Sequence, residues 1–213
     1  MSKRIKYSGK CFDVEYLPSF LTKEEADALY QHTEHEVDWV RSPSFDNKRS
    51  SFVYGDKDLT YEVKFGGYFD KKTQKYREEW ITERRATEWS LFPSDALRSI
   101  KERLEKKSKH IYNFCVIQRY PHGGVGINRH ADKEMVEGST ITGLSLGSKR
   151  VIRFTPSPLL KKYNMDPFEL ALDHGSVYMM KPPTNQYWMH EITKDDSTEP
   201  RLSLTFRNVP VIS

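Results

Sequence analysis

Short runs of alternating apolar and polar residues fill the second half of the chain. They cover Tyr112–Tyr120, Ser139–Leu146, Arg150–Thr155, Phe168–Leu172, Ser176–Met180, Met189–Ile192 and Arg201–Val209. A period of two over such lengths predicts strands. Turn residues separate the runs: His122-Gly123-Gly124, Gly147-Ser148, Asp173-His174-Gly175 and Lys181-Pro182-Pro183-Thr184-Asn185. Many short strands in series predict a sandwich or barrel, and a jelly roll is one way to close them. The first half has helical spacing instead. Thr22-Lys23-Glu24-Glu25 fits a capping box, with Ala26, Leu29 and Tyr30 following at helical intervals. A second amphipathic stretch starts near Ser94 and puts Leu97, Ile100 and Leu104 on one stripe. Lys101, Arg103, Lys106, Lys107 and Lys109 make that helix basic, which fits either a solvated face or a phosphate-contacting one. Residues 66–90 are charged and show no clear period; an insertion and a mobile loop both fit. No repeat or low-complexity tract interrupts the chain.

The last run carries the first chemical signal. In Arg201-Leu202-Ser203-Leu204-Thr205-Phe206-Arg207, the residues Arg201, Ser203, Thr205 and Arg207 share one face. Leu202, Leu204 and Phe206 share the other and read as core. Two guanidiniums on an inward face need anions, because a buried unpaired charge is costly. Their planar forks match a carboxylate. A structural ion pair with Asp132 or Glu199 is the plainer reading of the same residues.

Composition narrows the setting. A chain of 213 residues with 13% aromatics reads as one folded domain with a real core. No run is long and apolar enough to span a membrane, and Met1-Ser2-Lys3-Arg4-Ile5-Lys6 lacks the apolar stretch of a secretory signal. Cys11 and Cys115 stand far apart, which fits reduced thiols and an intracellular protein, nuclear or cytoplasmic. A net charge of +4 permits a nucleic-acid partner without requiring one.

His130 and Asp132 are one residue apart at a presumed strand end, so both can reach one ion. His190 follows several strands later. Two histidines and a carboxylate that leave positions open are the ligand set of non-haem Fe(II) oxygenases. His-x-Asp alone is common by chance; the order of the pieces, ending in a strand with inward arginines, makes a coherent site. A ferrous oxygenase needs two electrons that its substrate does not provide, and a 2-oxo acid can supply them by oxidative decarboxylation. For 2-oxoglutarate, the far carboxylate then needs a cation. Gln118 and Tyr120 share a strand face and offer neutral hydrogen bonds. Other residues read as structural: His174 and His122 as turn and loop, Met179, Met180 and Trp188 as core, Cys115 as inert.

Together these stretches resemble the AlkB-like Fe(II)/2-oxoglutarate dioxygenases, nucleic-acid dealkylases, and above all their animal DNA-repair members. The resemblance spans roughly residues 48–209. It rests on Tyr112-Asn113-Phe114, Gln118-Arg119-Tyr120, His130-Ala131-Asp132-Lys133-Glu134, Ser145-Leu146-Gly147, and the stretch His174 to Met180. Pro183 to His190, Pro200-Arg201 and Arg207 complete it, with Tyr54-Gly55-Asp56 and Leu59-Thr60-Tyr61 similar to the nucleotide-recognition region. The resemblance implies that His130, Asp132 and His190 bind iron. It implies that Arg201 pairs with the far carboxylate of 2-oxoglutarate, and that Arg207 lies near its C1 end. Gln118, Tyr120, Ser203 and Thr205 complete the cosubstrate face. Glu134 would face the exocyclic amine of the base, with Tyr61 in a lid above it and Tyr54 nearby. The chain departs from the family at Gln118 and Ser203, where asparagine is usual, and at Val63, where the closest members have an aromatic. Phe65 is the available replacement. No apolar wedge for opening a duplex is evident, so single-stranded DNA or RNA stays open.

The expected architecture is mainly β with N-terminal helices, a double-stranded β-helix (jelly roll) in one domain, 1–213. About 1–110 would form a helical buttress and lid, and about 111–213 the β-helix core. The expected function is demethylation of bases of the 1-methyladenine and 3-methylcytosine type in alkylated DNA or RNA, as in repair of DNA damage. It would use Fe(II), 2-oxoglutarate and O2, in a monomer with no membrane partner. Two other readings share the residues: a 2-oxoglutarate oxygenase of protein or a small molecule, and a non-catalytic nucleic-acid-binding domain.

Overall fold

The start of the first helix is specified locally. In the computed structural model, which describes residues 3–41, 49–65, 68–70, 74–78 and 80–212, the Thr22 hydroxyl accepts the Glu25 N–H at 3.2 Å. The Glu25 carboxylate accepts the Thr22 N–H at 2.9 Å. Two backbone donors that the first turn leaves unpaired are thus satisfied reciprocally. Helix α1 (Lys23–Glu36) then buries Ala26, Leu29 and Thr33. Helix α2 (Ala96–Ser108) buries Leu97, Ile100 and Leu104, the stripe read from the sequence. It stops at Lys109, whose φ of 62° leaves the helical region.

The first half also builds strands: β1 (Ile5–Gly9), β2 (Phe12–Leu17), β3 (Val40–Arg41), β4 (Ser50–Gly55), β5 (Thr60–Phe65), β6 (Tyr68–Asp70), β7 (Lys75–Arg77), β8 (Trp80–Arg85) and β9 (Thr87–Glu88). The helical buttress expected of residues 1–110 is therefore only part of what that half forms. Residues 66, 67, 71–73 and 79 lie outside the described residues. The described parts of 66–90 form short hairpins, β5 with β8 and β6 with β7. Beyond α2 run β10 (Phe114–Tyr120), β11 (Ile127–His130), β12 (Ile141–Gly147), β13 (Arg150–Pro156), β14 (Phe168–Leu172), β15 (Ser176–Met180), the short turn α3 (Thr184–Tyr187), β16 (Trp188–Ile192) and β17 (Arg201–Arg207). All seven strands expected from the alternation are present.

The large sheet runs β1-β2-β15-β12-β17-β10-β4-β3, and the small one β11-β16-β13-β14. From β10 to β17 the chain passes back and forth between them: β10, β12, β15 and β17 in the large sheet, β11, β13, β14 and β16 in the small. This is the expected double-stranded β-helix, and the space between its sheets holds the site.

Strand β17 shows how period two divides the core. Leu202, Leu204 and Phe206 pack with Leu29, Leu97 and Leu104 on the helix side. Arg201, Ser203, Thr205 and Arg207 take the opposite face, toward the second sheet. Met179 joins the helix-side core, whereas Met180, Tyr120, Phe154, Tyr178 and Trp188 fill the inner one. Trp188 packs on Phe12 at 4.8 Å and donates its ring N–H to the Lys10 carbonyl. His174 is structural too: its Nδ1 accepts the Gly147 N–H, and its Nε2 meets Asp27. Cys11 and Cys115 are unpaired, and burial pushes the Cys115 thiol pKa up, which keeps it inert. Leu204→Ala, at a fully buried point between sheet and helices, is expected to cost about 2–5 kcal/mol of stability, read by denaturant unfolding.

Candidate functional site

Strands β10, β11, β16 and β17 and the loop after β11 build the site. His130 closes β11 and stands opposite His190 of β16. Directly opposed residues in an antiparallel pair project to the same side, and the two rings lie 4.4 Å apart. Just past the strand end, Asp132 turns its carboxylate back, with Oδ1 3.4 Å from His130 Nε2. Candidate ligand atoms of His130, Asp132 and His190 all lie within 4.8 Å of one another.

Protonation follows from the partners. His130 Nδ1 is 2.8 Å from the Asn128 carbonyl, a contact only an N–H can make. Nε2 faces Asp132. His190 is 6% exposed and its Nδ1 has no partner. Burial lowers its pKa to about 4, against the opposing pull of Asp132, so the ring is neutral at pH 7. Burial alone would raise the Asp132 carboxyl; the Arg207 guanidinium and His130 outweigh it and hold it well below the usual carboxylate range. Arg207 Nη2 is 2.9 Å from Asp132 Oδ2. The contact is off the line of an N–H, so it attracts without forming a good hydrogen bond, and Oδ2 and Arg207 Nε both lack one. Two imidazoles, that of His190 held neutral, and an anionic oxygen with an unpaired acceptor fit a divalent iron with open positions.

The inward face of β17 continues from there. Register sets Tyr120 opposite Arg201, Gln118 opposite Ser203, and Phe114 opposite Arg207. Thr205, buried, lies between Ser203 and Arg207 on this face. Arg201 is 1% exposed; its Nε donates to Ser145 Oγ at 2.9 Å and its guanidinium sits over the Tyr120 ring at 5.2 Å. Its Nη1 has no partner, and among the described residues no carboxylate pairs with it. The structural ion pair considered from the sequence therefore holds for Arg207 and not for Arg201. Tyr120 Oη donates to Gln118 Oε1 at 2.9 Å. Six residues of strand separate the arginines by about 20 Å between backbones, so they stand at the two ends of this face. An unpartnered buried guanidinium at one end and a metal ligand set at the other fit a dicarboxylate that also chelates the metal.

Beside the metal cluster lies a cavity of about 170 Å³ lined by Val53, Tyr61, Val63, Phe114, Glu134 and Arg207, among others. Arg207 belongs both to this cavity and to the Asp132 pair, so the two spaces adjoin. Tyr61 packs edge-on against Phe114 at 4.6 Å. Glu62 also lines the cavity and was not singled out from the sequence. Tyr54 is not brought here. It pairs with Cys115 across β4 and β10 and packs on Phe92 at 5.4 Å, inside the helix-side core. The structure thus places Tyr54 in the core and not with the residues of the cavity. The side chain of Phe65 lies outside the described residues.

Ser145, Arg150 and Tyr178 were given no role from the sequence. Arg150 has no exposed side-chain surface, donates to the carbonyls of Gly123, Val125 and Thr193, and pairs with Asp195 at 2.9 Å. It ties two loops together beside Tyr120. Tyr178 crosses Gly143 so closely that a Cβ there would meet its ring at 2.2 Å. An arginine opening a strand gives no sequence signal of such burial; a glycine inside a strand is the one usable hint of a close approach.

A family model described as the 2OG-Fe(II) oxygenase superfamily matches residues 13–207. The DNA oxidative demethylase ALKBH2 of Bos taurus is 29% identical over 202 residues, 88% of this chain and 66% of that protein. The Mus musculus protein of the same name is also 29% identical, over 76% of its length. Alpha-ketoglutarate-dependent dioxygenase alkB homolog 3 of Homo sapiens is 25% identical over 205 residues, 90% of this chain and 64% of that protein. The chain thus spans about two thirds of the length of these curated relatives. A solved structure titled "The structure of OsALKBH1" superposes with a TM-score of 0.57 at 14% identity, covering 96% of this chain and 100% of that one. That likeness bears on the fold.

Proposed function

The chain belongs to the 2OG-Fe(II) oxygenase superfamily, and we propose that it removes methyl groups oxidatively from the nitrogens of alkylated bases in DNA or RNA. The observation that carries this reading is the His130–Asp132–His190 cluster adjoining, through Arg207, a small cavity with Glu134 on its wall. The relatives named as DNA oxidative demethylases support the substrate class.

His130, Asp132 and His190 would hold the iron, which with 2-oxoglutarate and O2 supplies hydroxylation of the N-methyl carbon and release of succinate and CO2. Arg201 grips the far carboxylate through its fork, with Tyr120, Gln118, Ser203 and Thr205 beside it. Arg207 keeps Asp132 ionised and marks the near end of the cosubstrate face. The hydroxymethyl product loses formaldehyde and leaves the repaired base. So enclosed a site requires the base to leave its stack. Apolar walls of Val53, Val63 and Phe114 exclude water from the base, while Glu134 accepts from its exocyclic amine. The net charge of +4 favours the phosphate backbone without choosing a base.

The same reading has the protein act as a monomer inside the cell. All three candidate ligands come from one chain, both cysteines are free thiols, and among the described residues no helix is long and apolar enough to cross a membrane.

Mass spectrometry of methylated oligonucleotides incubated with Fe(II) and 2-oxoglutarate tests it. The expected result is methyl loss with matching succinate and formaldehyde. Succinate release with no change in any oligonucleotide would shift the reading to a protein or small-molecule oxygenase. Glu134→Gln refines the test. Methylation at N1 of adenine or N3 of cytosine makes the base cationic, and a carboxylate a few ångströms away favours that form. The variant is expected to lower kcat/KM about tenfold on these bases, and less on neutral 1-methylguanine or 3-methylthymine. An equal loss on all four would reduce Glu134 to a loop support.

A further inference from the structure

Asp132 lies just beyond the end of β11, where regular strand pairing has stopped. The ladder between β11 and β16 is already irregular between Ile127 and His130. Continued for two more residues, the register of His130 with His190 would set Asp132 against Trp188. The backbone of Asp132 is held differently. Its N–H donates to the side-chain Oδ1 of Asn185 at 3.0 Å, and its carbonyl accepts from Asn185 Nδ2 at 2.8 Å. One side chain therefore supplies both halves of a missing backbone pair. The amide suits this because it carries a donor and an acceptor in one plane, which an ionised carboxylate of the same shape does not.

The turn bearing Asn185 is itself anchored. Thr184 Oγ1 accepts the Asp13 N–H at 2.8 Å and donates to the Asp13 carbonyl at 3.1 Å, fixing α3 to β2. From α3 the chain enters β16 and reaches His190. We infer that Asn185 is a positioning residue of the metal centre, setting the carboxylate of Asp132 at its working distance from His190. The inference rests on the metal-centre reading and is independent of the nucleic-acid substrate.

The test is binding of Mn(II) and Co(II) to apo protein, by calorimetry and by the Co(II) visible spectrum, in wild type and variants. Asn185→Ala removes both hydrogen bonds. Asn185→Asp keeps the shape but sets a carboxylate against the Asp132 carbonyl. Both are expected to weaken metal binding by about 10- to 100-fold and to change the Co(II) spectrum. Thr184→Ala is the comparator for turn stability. It should lower the melting temperature while leaving metal affinity within about twofold of wild type. Asn185 variants that fold and bind metal as wild type does would overturn the inference. So would a Thr184→Ala protein that loses as much affinity as Asn185→Ala, since turn stability alone would then account for the effect. If Asn185→Ala does not fold, Asn185→Asp decides by the same measurement. Wild-type protein that binds neither metal would overturn this inference and the metal-centre reading together, whereas normal wild-type binding confines a failure to Asn185.

Discussion

Asp132→Ala is expected to abolish turnover, by about 10³-fold or more, because a metal centre contributes several kcal/mol to the barrier it lowers. The loss has two origins. The anionic ligand goes, leaving two neutral imidazoles that do not balance a divalent ion. Arg207 also loses the partner that its Nη2 meets at 2.9 Å, in a place where Asp132 is only 6% exposed on its side chain. Breaking one side of such a pair leaves a largely buried cation unpaired, which is destabilising in its own right. Asp132→Asn separates the two effects: it keeps the shape and removes the charge. Succinate production, metal content and melting temperature should be read together. The expected pattern for Asp132→Asn is little succinate and little bound iron in a folded protein. His130→Ala and His190→Ala should follow it. Full activity in any of the three alanine variants would remove that residue from the metal site.

What the sequence made legible, and what it hid, divides along sequence distance. β17 was readable because the whole pattern lies within seven residues, and its apolar and polar residues take opposite faces as the alternation implies. The His-x-Asp pair was readable because both ligands leave one strand end. Residues whose role depends on a distant partner were not. Tyr54 belongs to a stretch that carries the family resemblance, but its face is set by pairing with β10. A shift of one residue in that register would turn it from the core to the site. Asn185 and Arg150 act through backbone groups far along the chain, and the sequence carries no record of such bonds. β2 was missed although Phe12, Val14 and Tyr16 alternate with polar residues. Glu15 among them is buried, held by Arg4 and Lys181, so the polar positions do not mark solvent. Residues 80–85 were opaque because β8 runs through a two-stranded hairpin, and Ile81, Glu83, Arg84 and Arg85 are exposed. A strand with little to bury has little period to show.

Arg201 should behave in a way that no merely structural arginine would. Arg201→Lys keeps the positive charge and loses the fork, together with the Nε donor that now holds Ser145 at 2.9 Å. Charge-assisted hydrogen bonds of this kind contribute about 1.5–3 kcal/mol, so the apparent KM for 2-oxoglutarate should rise roughly 10- to 100-fold. Metal affinity in the absence of cosubstrate should not change. The sharper variant is Arg201→Met. Without an anion, the wild-type guanidinium is a fully buried cation with Nη1 unpartnered, held by Ser145 and the Tyr120 ring but paired with no carboxylate among the described residues. Burial of such a charge costs more than burial of a thioether of similar length. Arg201→Met should therefore melt at a higher temperature than wild type in the apo state. It should also gain no further stability from added 2-oxoglutarate, whereas the wild type should gain in proportion to ligand concentration over Kd. The two melting curves would cross over as cosubstrate is added. A lower apo melting temperature for Arg201→Met would mean that the strand needs the arginine for folding, and an undiminished response to 2-oxoglutarate would place the anchoring cation elsewhere.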